Sequence, residues 1–258
     1  MESMSTVKRN EGYAKEVEDY KNNVKKEAEH LIQYVFPKKI SELNTLLNDE
    51  RLALHRMHKV CQDVNIPIPG PAALAADSDE RDNNDDEPAA KKMRAENVAD
   101  IGNKKVLFPN GLVKSNVNIK ELHDLVKPHT IDLIEHSNHI KMWITYLMPK
   151  IEDGNNFGVE IQEEALAESV LIESTATTHL NSSLAYFITR GKIVRKIAKY
   201  PHVEDERKTL CELDEKEFLR TRTVCCDLRN HYANLHDLII KNFDKIRKPK
   251  SSHTLALY

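Results

Sequence analysis

The side chains best suited to metal chemistry are three histidine-containing groups on predicted helices. Glu27 and His30 form a Glu-x-x-His motif, but a carboxylate-bridged metal centre inside a helical bundle needs that motif on two helices, and the sequence has no second copy. The other groups are two pairs at a spacing of three residues, His55/His58 and His136/His139. Neither pair has a third ligand. We therefore expect surface or half-buried histidines and no metal site.

Catalytic motifs are absent as well. The sequence contains no His-Glu-x-x-His, Gly-x-Ser-x-Gly or Walker A pattern and no glycine-rich dinucleotide fingerprint. With 7 glycines among 258 residues, the chain also has little material for phosphate-binding loops, because these need close approach of the backbone. The sequence thus predicts no catalytic residue and no cofactor, and it indicates a protein that is not an enzyme.

The four cysteines have no spacing typical of a redox or zinc motif. No secretory signal precedes them, so we expect reduced thiols in a cytosolic or nuclear protein. The four residues are Cys61, Cys211, Cys225 and Cys226. Cys225 and Cys226 are adjacent and would point to different faces of one helix, where they would pack as small apolar side chains.

Two short segments have compositions suited to recognition by other proteins. The first comprises Lys91, Lys92, Met93 and Arg94. It fits a nuclear import signal, although a solvated cluster that balances the preceding acidic run is the alternative. The second is the end of the tail at residues 250–258, which we expect to be mobile; there the apolar residues Leu255–Tyr258 follow a polar spacer. Such an end suits docking into a pocket with a cation for the carboxylate, and a frayed terminus is the alternative.

Helical periodicity dominates the elements that must position these segments. Near the N-terminus, apolar residues recur every three or four positions from Val17 to Val35. Pro37 should kink or interrupt this helix because it has no N–H to donate, and the pattern then resumes from Ile40 to Val64. Residues 67–104 combine a proline cluster with concentrated charge, and we expect a flexible, disordered linker there.

Three further helices follow the linker. One runs from about Asn118 to Met148, and Pro128 either interrupts it or lies in its first turns. The next runs from about Val159 to Tyr200, and the last carries its apolar stripe from Val224 to Ile246. The glycine- and asparagine-rich stretch from Ile151 to Gly158 is the strongest loop signal in the chain and would join two antiparallel helices.

Together these helices predict an all-α fold, an up-and-down bundle of four long helices that spans residues 1–258 as a single domain. Some apolar side chains fall outside the main stripes and indicate a second buried face: Ile32, Ile134, Leu171, Ile188 and Ile193. Such a face favours side-by-side assembly of several subunits. Outside an acidic stretch at 77–87 the charge is nearly balanced, which argues against a nucleic-acid partner. No apolar run is long enough to span a membrane.

Several short motifs give the chain a close resemblance to a known family. In chain order they are Phe36–Lys39, Ile66–Pro69, Pro109–Gly111, Ile151–Val159 (IEDGNNFGV), Ile197–Asp205 (IAKYPHVED), Asp214–Glu217 and Leu257–Tyr258. On these residues the chain resembles the REG (11S) family of proteasome activators, and most closely its gamma type. The resemblance covers nearly the whole chain outside the first dozen residues and the linker.

The resemblance implies a heptameric ring of four-helix subunits around a central channel. The ring would cap the alpha ring of the 20S core proteasome and open its gate without ATP, which promotes hydrolysis of peptides and unfolded proteins. Its partners would be the core proteasome, further copies of the chain and protein or peptide substrates. The gamma type implies a nuclear location, or a nuclear and cytoplasmic one.

The resemblance also assigns roles by position. The activation loop would comprise Ile151, Glu152, Asp153, Gly154, Asn155, Asn156, Phe157 and Gly158. The tail that enters pockets between core subunits would comprise Leu255, Ala256, Leu257 and Tyr258. Lys192 would line the channel. The sequence departs from the family pattern at Lys150, where arginine is usual, at Gly191, where alanine is usual, and in its last residues, which read Leu-Ala-Leu-Tyr instead of Glu-Thr-Leu-Tyr.

A nuclear helical scaffold without proteasome contact is the main competing function. It shares the helices and the import signal but gives no role to the loop or the tail. Two further functions stay open at the level of sequence, a lipid-binding amphipathic bundle and a bundle enzyme. The charge scattered over the helix surfaces argues against lipid binding.

Overall fold

A computed structural model describes residues 2–70, 110–149 and 159–249 of the chain, with side chains described from residue 12 onward. Its α-helices, in chain order, are α1 (Glu2–His30), α2 (Phe36–Leu47), α3 (Val117–Leu147), α4 (Val159–Lys199), α5 (Glu204–Lys241) and α6 (Phe243–Arg247). A π-helical segment, Leu31–Val35, separates α1 from α2, and two 3-10 segments, Glu50–Leu52 and Leu54–Lys59, follow α2. These ranges contain no strand, so the all-α prediction is confirmed.

The π-helical segment explains how the first long helix accommodates Pro37. The Phe36 N–H donates to the Leu31 carbonyl, five residues back, and Pro37 then lies in the first turn of α2. A proline ring clashes with the preceding turn of a regular α-helix, and the wider π turn precedes it here. The predicted interruption is therefore present as a change of helical winding.

The predicted continuation of this helix to Val64 is wrong, because α2 ends at Leu47. The Asp49 side chain accepts a hydrogen bond from the Arg51 N–H at 2.8 Å and starts the first 3-10 segment instead. Arg222 Nη1 donates to the carbonyls of Leu47 (3.0 Å) and Leu52 (2.8 Å), which otherwise lack helical partners. Apolar residues beyond this point are thus buried by tertiary contacts and not by helical register.

The later helices match their predicted bounds closely. α3 begins one residue before Asn118, and α4 begins at Val159 as predicted. Pro128 lies in the interior of α3, eleven residues after its start, so the predictions that it interrupts the helix or lies in its first turns are both wrong. The C-terminal apolar stripe covers only the second half of α5, and a break at Asn242 separates α5 from α6.

The described residues fall into two compact units. Unit 1 comprises residues 2–57, 121–149, 159–184 and 218–249, and unit 2 comprises residues 58–70, 110–120 and 185–217. The single domain expected over residues 1–258 stays a prediction. None of the described helices combines the length and apolar character that crossing a membrane requires.

Unit 1 has an aromatic core. Phe36 of α2 and Tyr232 of α5 are fully buried, and their ring centroids lie 5.2 Å apart in an edge-to-face arrangement. The Tyr232 hydroxyl forms a 2.8 Å hydrogen bond with His136 Nδ1 of α3. Burial raises the pKa of Tyr232 and lowers the pKa of His136, so the uncharged forms of both side chains are favoured.

Contacts between the helices of unit 1 pair rising residue numbers on one helix with falling numbers on the next. The pairs are Glu27–His139 and Lys39–Asp132 between α1/α2 and α3, Lys141–Glu173 and Leu147–Gln162 between α3 and α4, His179–Asp227 and Ser183–Arg220 between α4 and α5, and Glu29–Arg247 and Asn44–Arg229 between α1/α2 and α5/α6. Each helix is therefore antiparallel to both of its neighbours. Unit 1 is an up-and-down four-helix bundle, as predicted.

Unit 2 is held by a buried polar cluster around Asp214, which has no exposed surface. The Asp214 carboxylate accepts hydrogen bonds from the Tyr186 hydroxyl (2.7 Å) and from Asn116 Nδ2 (2.6 Å), and Arg190 Nε lies 3.4 Å from it. Asn116 Nδ2 also donates to the Val60 carbonyl at 2.8 Å. An apolar cluster in the same unit comprises Val64, Ile66, Ile193, Val194, Ile197 and Leu210.

Unit 2 also contains a disulfide, which corrects one prediction. Cys61 and Cys211 are bonded, with their Cα atoms 4.9 Å apart although 150 residues separate them in sequence. The prediction of four reduced thiols was based on the spacing of cysteines close together in sequence. It is wrong for Cys61 and Cys211, because the fold brings these distant residues together. Cys225 and Cys226 are free; Cys225 is buried and Cys226 half-buried, as predicted for small apolar side chains. Burial raises the pKa of the Cys225 thiol to about 12.

The proposed second buried face divides into two groups. Ile32 and Ile193 are buried within the chain's own units, and Ile134 is half-buried. Leu171 and Ile188, both on α4, are 57% and 52% exposed. Part of the apolar excess is therefore used inside the chain, and α4 retains apolar surface.

Candidate functional site

Most of the residues with a predicted role lie outside the described residues. These are the loop Ile151–Gly158, the tail Leu255–Tyr258, the basic cluster Lys91–Arg94 and the linker from residue 71 to 104. The structure does describe the helices that lead into the loop and the tail, and these helix ends form the candidate site. It also describes Lys192.

Both ends of the predicted loop are anchored in unit 1. α3 ends at Leu147, and the Met148 N–H still donates to the Ile144 carbonyl at 3.0 Å. Pro149 follows and cannot continue the helix, because it has no N–H. α4 begins at Val159, immediately after the loop. The loop therefore connects two antiparallel helices, as the sequence predicted.

Gln162, in the first turn of α4, joins the loop region to the base of the tail. Its side chain is fully buried, and its amide nitrogen Nε2 donates to the Leu147 carbonyl at 3.3 Å and to the Ile246 carbonyl at 2.7 Å. Leu147 is the last residue of α3, and Ile246 lies in the last turn of α6. Neither carbonyl has a helical partner among the described residues, so one amide caps two helix ends.

Aromatic packing fixes the same end of the bundle. Trp143 of α3 is fully buried, and its ring stacks on Phe243 of α6 with centroids 6.0 Å apart and planes at 28°. The Arg247 guanidinium lies over the Phe243 ring at 5.5 Å, and Arg247 Nε lies 3.4 Å from a carboxylate oxygen of Glu29 in α1. α6, which leads into the predicted tail, is thus held by α3 and α1 through these contacts and by α4 through Gln162.

Lys192 lies on an exposed face of α4, in unit 2. It has no ion pair among the described residues. Other basic residues follow it toward the C-terminus of α4, where positive charge is favoured by the helix dipole: Arg195, Lys196 and Lys199. An exposed lysine is compatible with a channel wall, but the role assigned to Lys192 stays a prediction.

The histidine pairs form no catalytic or metal-binding arrangement in the described ranges. His55 and His58 are exposed and contact Glu50 (2.8 Å) and Glu215 (3.2 Å). His136 is half-buried against Tyr232, while His139 Nε2 lies 3.4 Å from Glu27. Surface and half-buried positions were predicted for all four. Across residues 2–70, 110–149 and 159–249, no three His, Cys, Asp or Glu side chains are grouped to hold a metal ion.

Models of known protein families identify the family of this chain. The family model described as "Proteasome activator PA28, C-terminal" matches residues 112–256, and "Proteasome activator PA28, N-terminal" matches residues 11–71. The chain belongs to the PA28 family of proteasome activators. The resemblance to the REG (11S) family is thereby confirmed, and the helix ends around Gln162 lie within the part matched by the C-terminal model.

Individual relatives agree with this placement. The chain is 43% identical to human (Homo sapiens) proteasome activator complex subunit 3 over 244 residues, 94% of each chain. It is 33% identical to human proteasome activator complex subunit 2 over 244 residues, 95% of this chain and 94% of the relative. Among solved structures, the 11S subunit of the Plasmodium falciparum proteasome, PA28, matches with a TM-score of 0.73 and 32% identity. That match covers 93% of this chain and 96% of the other.

Gln162 was missed at the sequence level, although a signal was present. Residues at helical spacing along one face of α4 are buried: Gln162, Ala165, Ser169, Ile172 and Ala176. A glutamine at the start of such a stripe must find hydrogen-bond partners inside the protein, because burying an unpaired amide is costly. Its partners, two backbone carbonyls distant in sequence, could not be read from the chain.

Proposed function

We propose that this chain is an ATP-independent activator of the 20S core proteasome and has no catalytic activity of its own. Seven copies would form a ring whose C-terminal tails dock on the alpha ring, while the loop at residues 151–158 holds the gate open. The observation that best supports this function is the pair of hydrogen bonds from Gln162, which link the helix leading into the loop to the helix leading into the tail. A protein that binds with one segment and acts with another needs both segments fixed to one body.

The two segments would divide the work. A single tail offers a few apolar side chains and a carboxylate, which suffices only for weak binding. Seven tails on one ring would bind together, because each later contact forms at high effective concentration. Gate opening must come from a group with different affinity for the open and closed gate, since a ligand shifts an equilibrium only through that difference. A short loop held between two helices suits this role.

Assembly into a ring requires surface that the single chain leaves uncovered. Exposed apolar side chains on α4 supply such surface: Val170, Leu171, Leu184 and Ile188. Burying them against a neighbouring subunit would stabilise an assembly by about 25 cal/mol for each Å² of apolar surface removed from water. Native mass spectrometry of the purified protein should give seven subunits. A monomer would contradict the proposed ring.

The activity itself can be tested with purified core proteasome and a fluorogenic peptide in the absence of ATP. We expect faster hydrolysis when the protein is added, and no hydrolysis by the protein alone.

Asn155→Tyr should leave co-sedimentation with the core largely intact and abolish activation, because a bulky side chain alters the gate contact and not the tails. Deletion of Leu255–Tyr258 should abolish co-sedimentation at moderate concentration. Wild-type protein that binds without accelerating hydrolysis would refute the function.

The proposed nuclear location rests on the basic cluster Lys91–Arg94. A fluorescent fusion of the full chain should accumulate in the nucleus, and replacing Lys91, Lys92 and Arg94 by alanine should abolish the accumulation. Unchanged nuclear accumulation of the triple variant would remove the assigned import role. The peptidase assay separates the activator from a nuclear scaffold without proteasome contact.

A further inference from the structure

We infer that Gln162 is a positioning residue that couples the tail to the activation loop, so that tail docking places the loop correctly at the gate. This inference rests on the proposed function and extends it to a residue outside both segments. Its basis is that one buried amide contacts both helix ends from which the two segments leave unit 1.

The position of each contact carries the argument. The Leu147 carbonyl ends α3 two residues before Pro149, and the Ile246 carbonyl lies in α6 three residues before Pro249. Prolines at both exits prevent the helices from continuing. The direction in which each segment leaves the bundle is therefore set by the last helical turn, and Gln162 bonds to that turn in both cases.

Within the described ranges, the Gln162 side chain forms its hydrogen bonds through its amide donors. Its acceptor, Oε1, is buried and has no hydrogen-bond partner among the described residues. Both Nε2 protons have carbonyl partners, and reversing the amide would bring oxygen against those two carbonyls. A side chain that lacks donors would thus break both connections at once.

Other contacts keep this end of the bundle folded without Gln162. The stacked rings of Trp143 and Phe243 hold α6 on α3, and the Arg247–Glu29 pair holds it on α1. Loss of the Gln162 donors should therefore loosen the exits of the loop and the tail without detaching α6. This separates a positioning role from a general structural one.

The test compares Gln162→Met, which has a similar length and no donor, with Ser169→Ala as matched control. Ser169 is equally buried on the same face of α4, but its hydroxyl donates within that helix, to the Ala165 carbonyl at 2.8 Å, and to no other helix in the part of the chain that the structure describes. Intact rings of both variants are added to core proteasome and peptide. We expect Gln162→Met to lower maximal activation and raise the half-saturating concentration, each about threefold to tenfold for the loss of the two bonds. Ser169→Ala should match wild type in both.

A second variant tests the hydrogen bonds separately from side-chain packing, because the pH dependence of its activation should change only if a donor is restored. Gln162→Glu has no donor when ionised but one O–H donor when protonated, and burial beside two carbonyl oxygens raises the pKa of such a carboxyl. Its activation relative to wild type should rise as the pH falls from about 8.5 to about 6, with rings intact by native mass spectrometry. Gln162→Met should show no such rise.

Hydrogen exchange of the full-length ring completes the test. Backbone amides in the last turns of α3 and α6, residues 144–148 and 244–248, should exchange faster in Gln162→Met than in Ser169→Ala. Activation and exchange equal to wild type in Gln162→Met would overturn the inference. Failure of both Gln162 variants to assemble would assign the residue to folding and also overturn it. If wild-type rings do not activate the core at all, the proposed function fails, and exchange still decides whether Gln162 fixes the two segments.

Discussion

The two units of the chain are stabilised by different kinds of interaction. Unit 1 consists of long antiparallel helices whose largest buried side chains are aromatic (Phe36, Trp143 and Tyr232), and its buried polar side chains include the Gln162 amide but, in the described ranges, no carboxylate. Unit 2 includes the short, irregular segment at residues 60–70, and it buries a carboxylate, Asp214, among polar partners. Long helices satisfy most of their own backbone groups and are held mainly by buried apolar surface, whereas a short irregular segment needs specific anchors.

This contrast predicts that conservative substitutions have unequal costs in the two units. Phe36→Leu in unit 1 keeps an apolar side chain and should lower the free energy of unfolding by about 1–1.5 kcal/mol. Asp214→Asn in unit 2 keeps the shape but removes the charge that pairs with buried Arg190 and sets an amide donor against Asn116 Nδ2. Leaving one partner of a buried pair uncompensated costs about 3–5 kcal/mol.

Urea unfolding followed by circular dichroism measures both costs. Asp237→Asn is the matched control, because its pair with Lys241 is exposed on α5 and should contribute less than about 1 kcal/mol. Equal losses for Phe36→Leu and Asp214→Asn would show that the two units are held in the same way, contrary to the comparison.

The covalent anchor of unit 2 gives the next largest effect. The Cys61–Cys211 bond joins residues 150 apart in sequence, and breaking it should lower the free energy of unfolding by about 2–4 kcal/mol. The measurement compares oxidised protein with protein in a strong reductant, using Cys61→Ser as a variant that reductant should not affect. Amides at 58–66 should exchange faster on reduction, while those of α3 should not. Full retention of stability in reductant would show that the disulfide does not anchor unit 2.

The accuracy of the sequence predictions follows the same division. α3 and α4 were placed within about a residue because long apolar periodicity and bounding prolines are local signals. The segment after Leu47 was predicted as helix because Leu54, Met57 and Cys61 fit the spacing by chance. Its course depends on Asp49 and on the distant Arg222, which caps the end of α2.

The candidate site could be predicted only in part, for a related reason. The loop and the tail are recognisable from their composition, so the sequence identified where the chain leaves its helices. The Gln162 side chain bonds to two carbonyls that are 15 and 84 residues away in sequence, and no local sequence pattern predicts contacts over such separations. The same holds for Cys61 and Cys211.

Sensitivity to pH should reside in unit 1. Burial lowers the pKa of His129, His136 and His179, and all three lie in unit 1. Since the unfolded chain then binds protons more readily than the folded one, the free energy of unfolding falls as the pH drops below the ordinary histidine pKa of 6.5. Urea unfolding at about pH 7.5 and about pH 5.5 should show this loss.

His129→Gln provides the control for the pH effect. His129 Nδ1 has no hydrogen-bond partner in the described ranges, so a neutral amide removes the titrating group without breaking a bond to that atom. The variant should lose part of the pH dependence seen in wild type. A free energy of unfolding that rises on acidification would mean that the buried histidines do not control the response.

The smallest expected effect is a gain of stability at Gly191, where the chain departs from the family's usual alanine. Gly191 lies within α4 on an exposed face, and a Cβ added there would have no atom within 4 Å. Gly191→Ala should therefore raise the free energy of unfolding by about 1 kcal/mol, because alanine loses less backbone entropy in a helix. Gly111→Ala is the opposing control: it also has free space, but its φ of +77° strains any residue with a Cβ. If thermal unfolding shows both substitutions moving stability in the same direction, backbone conformation does not distinguish these two glycines of unit 2.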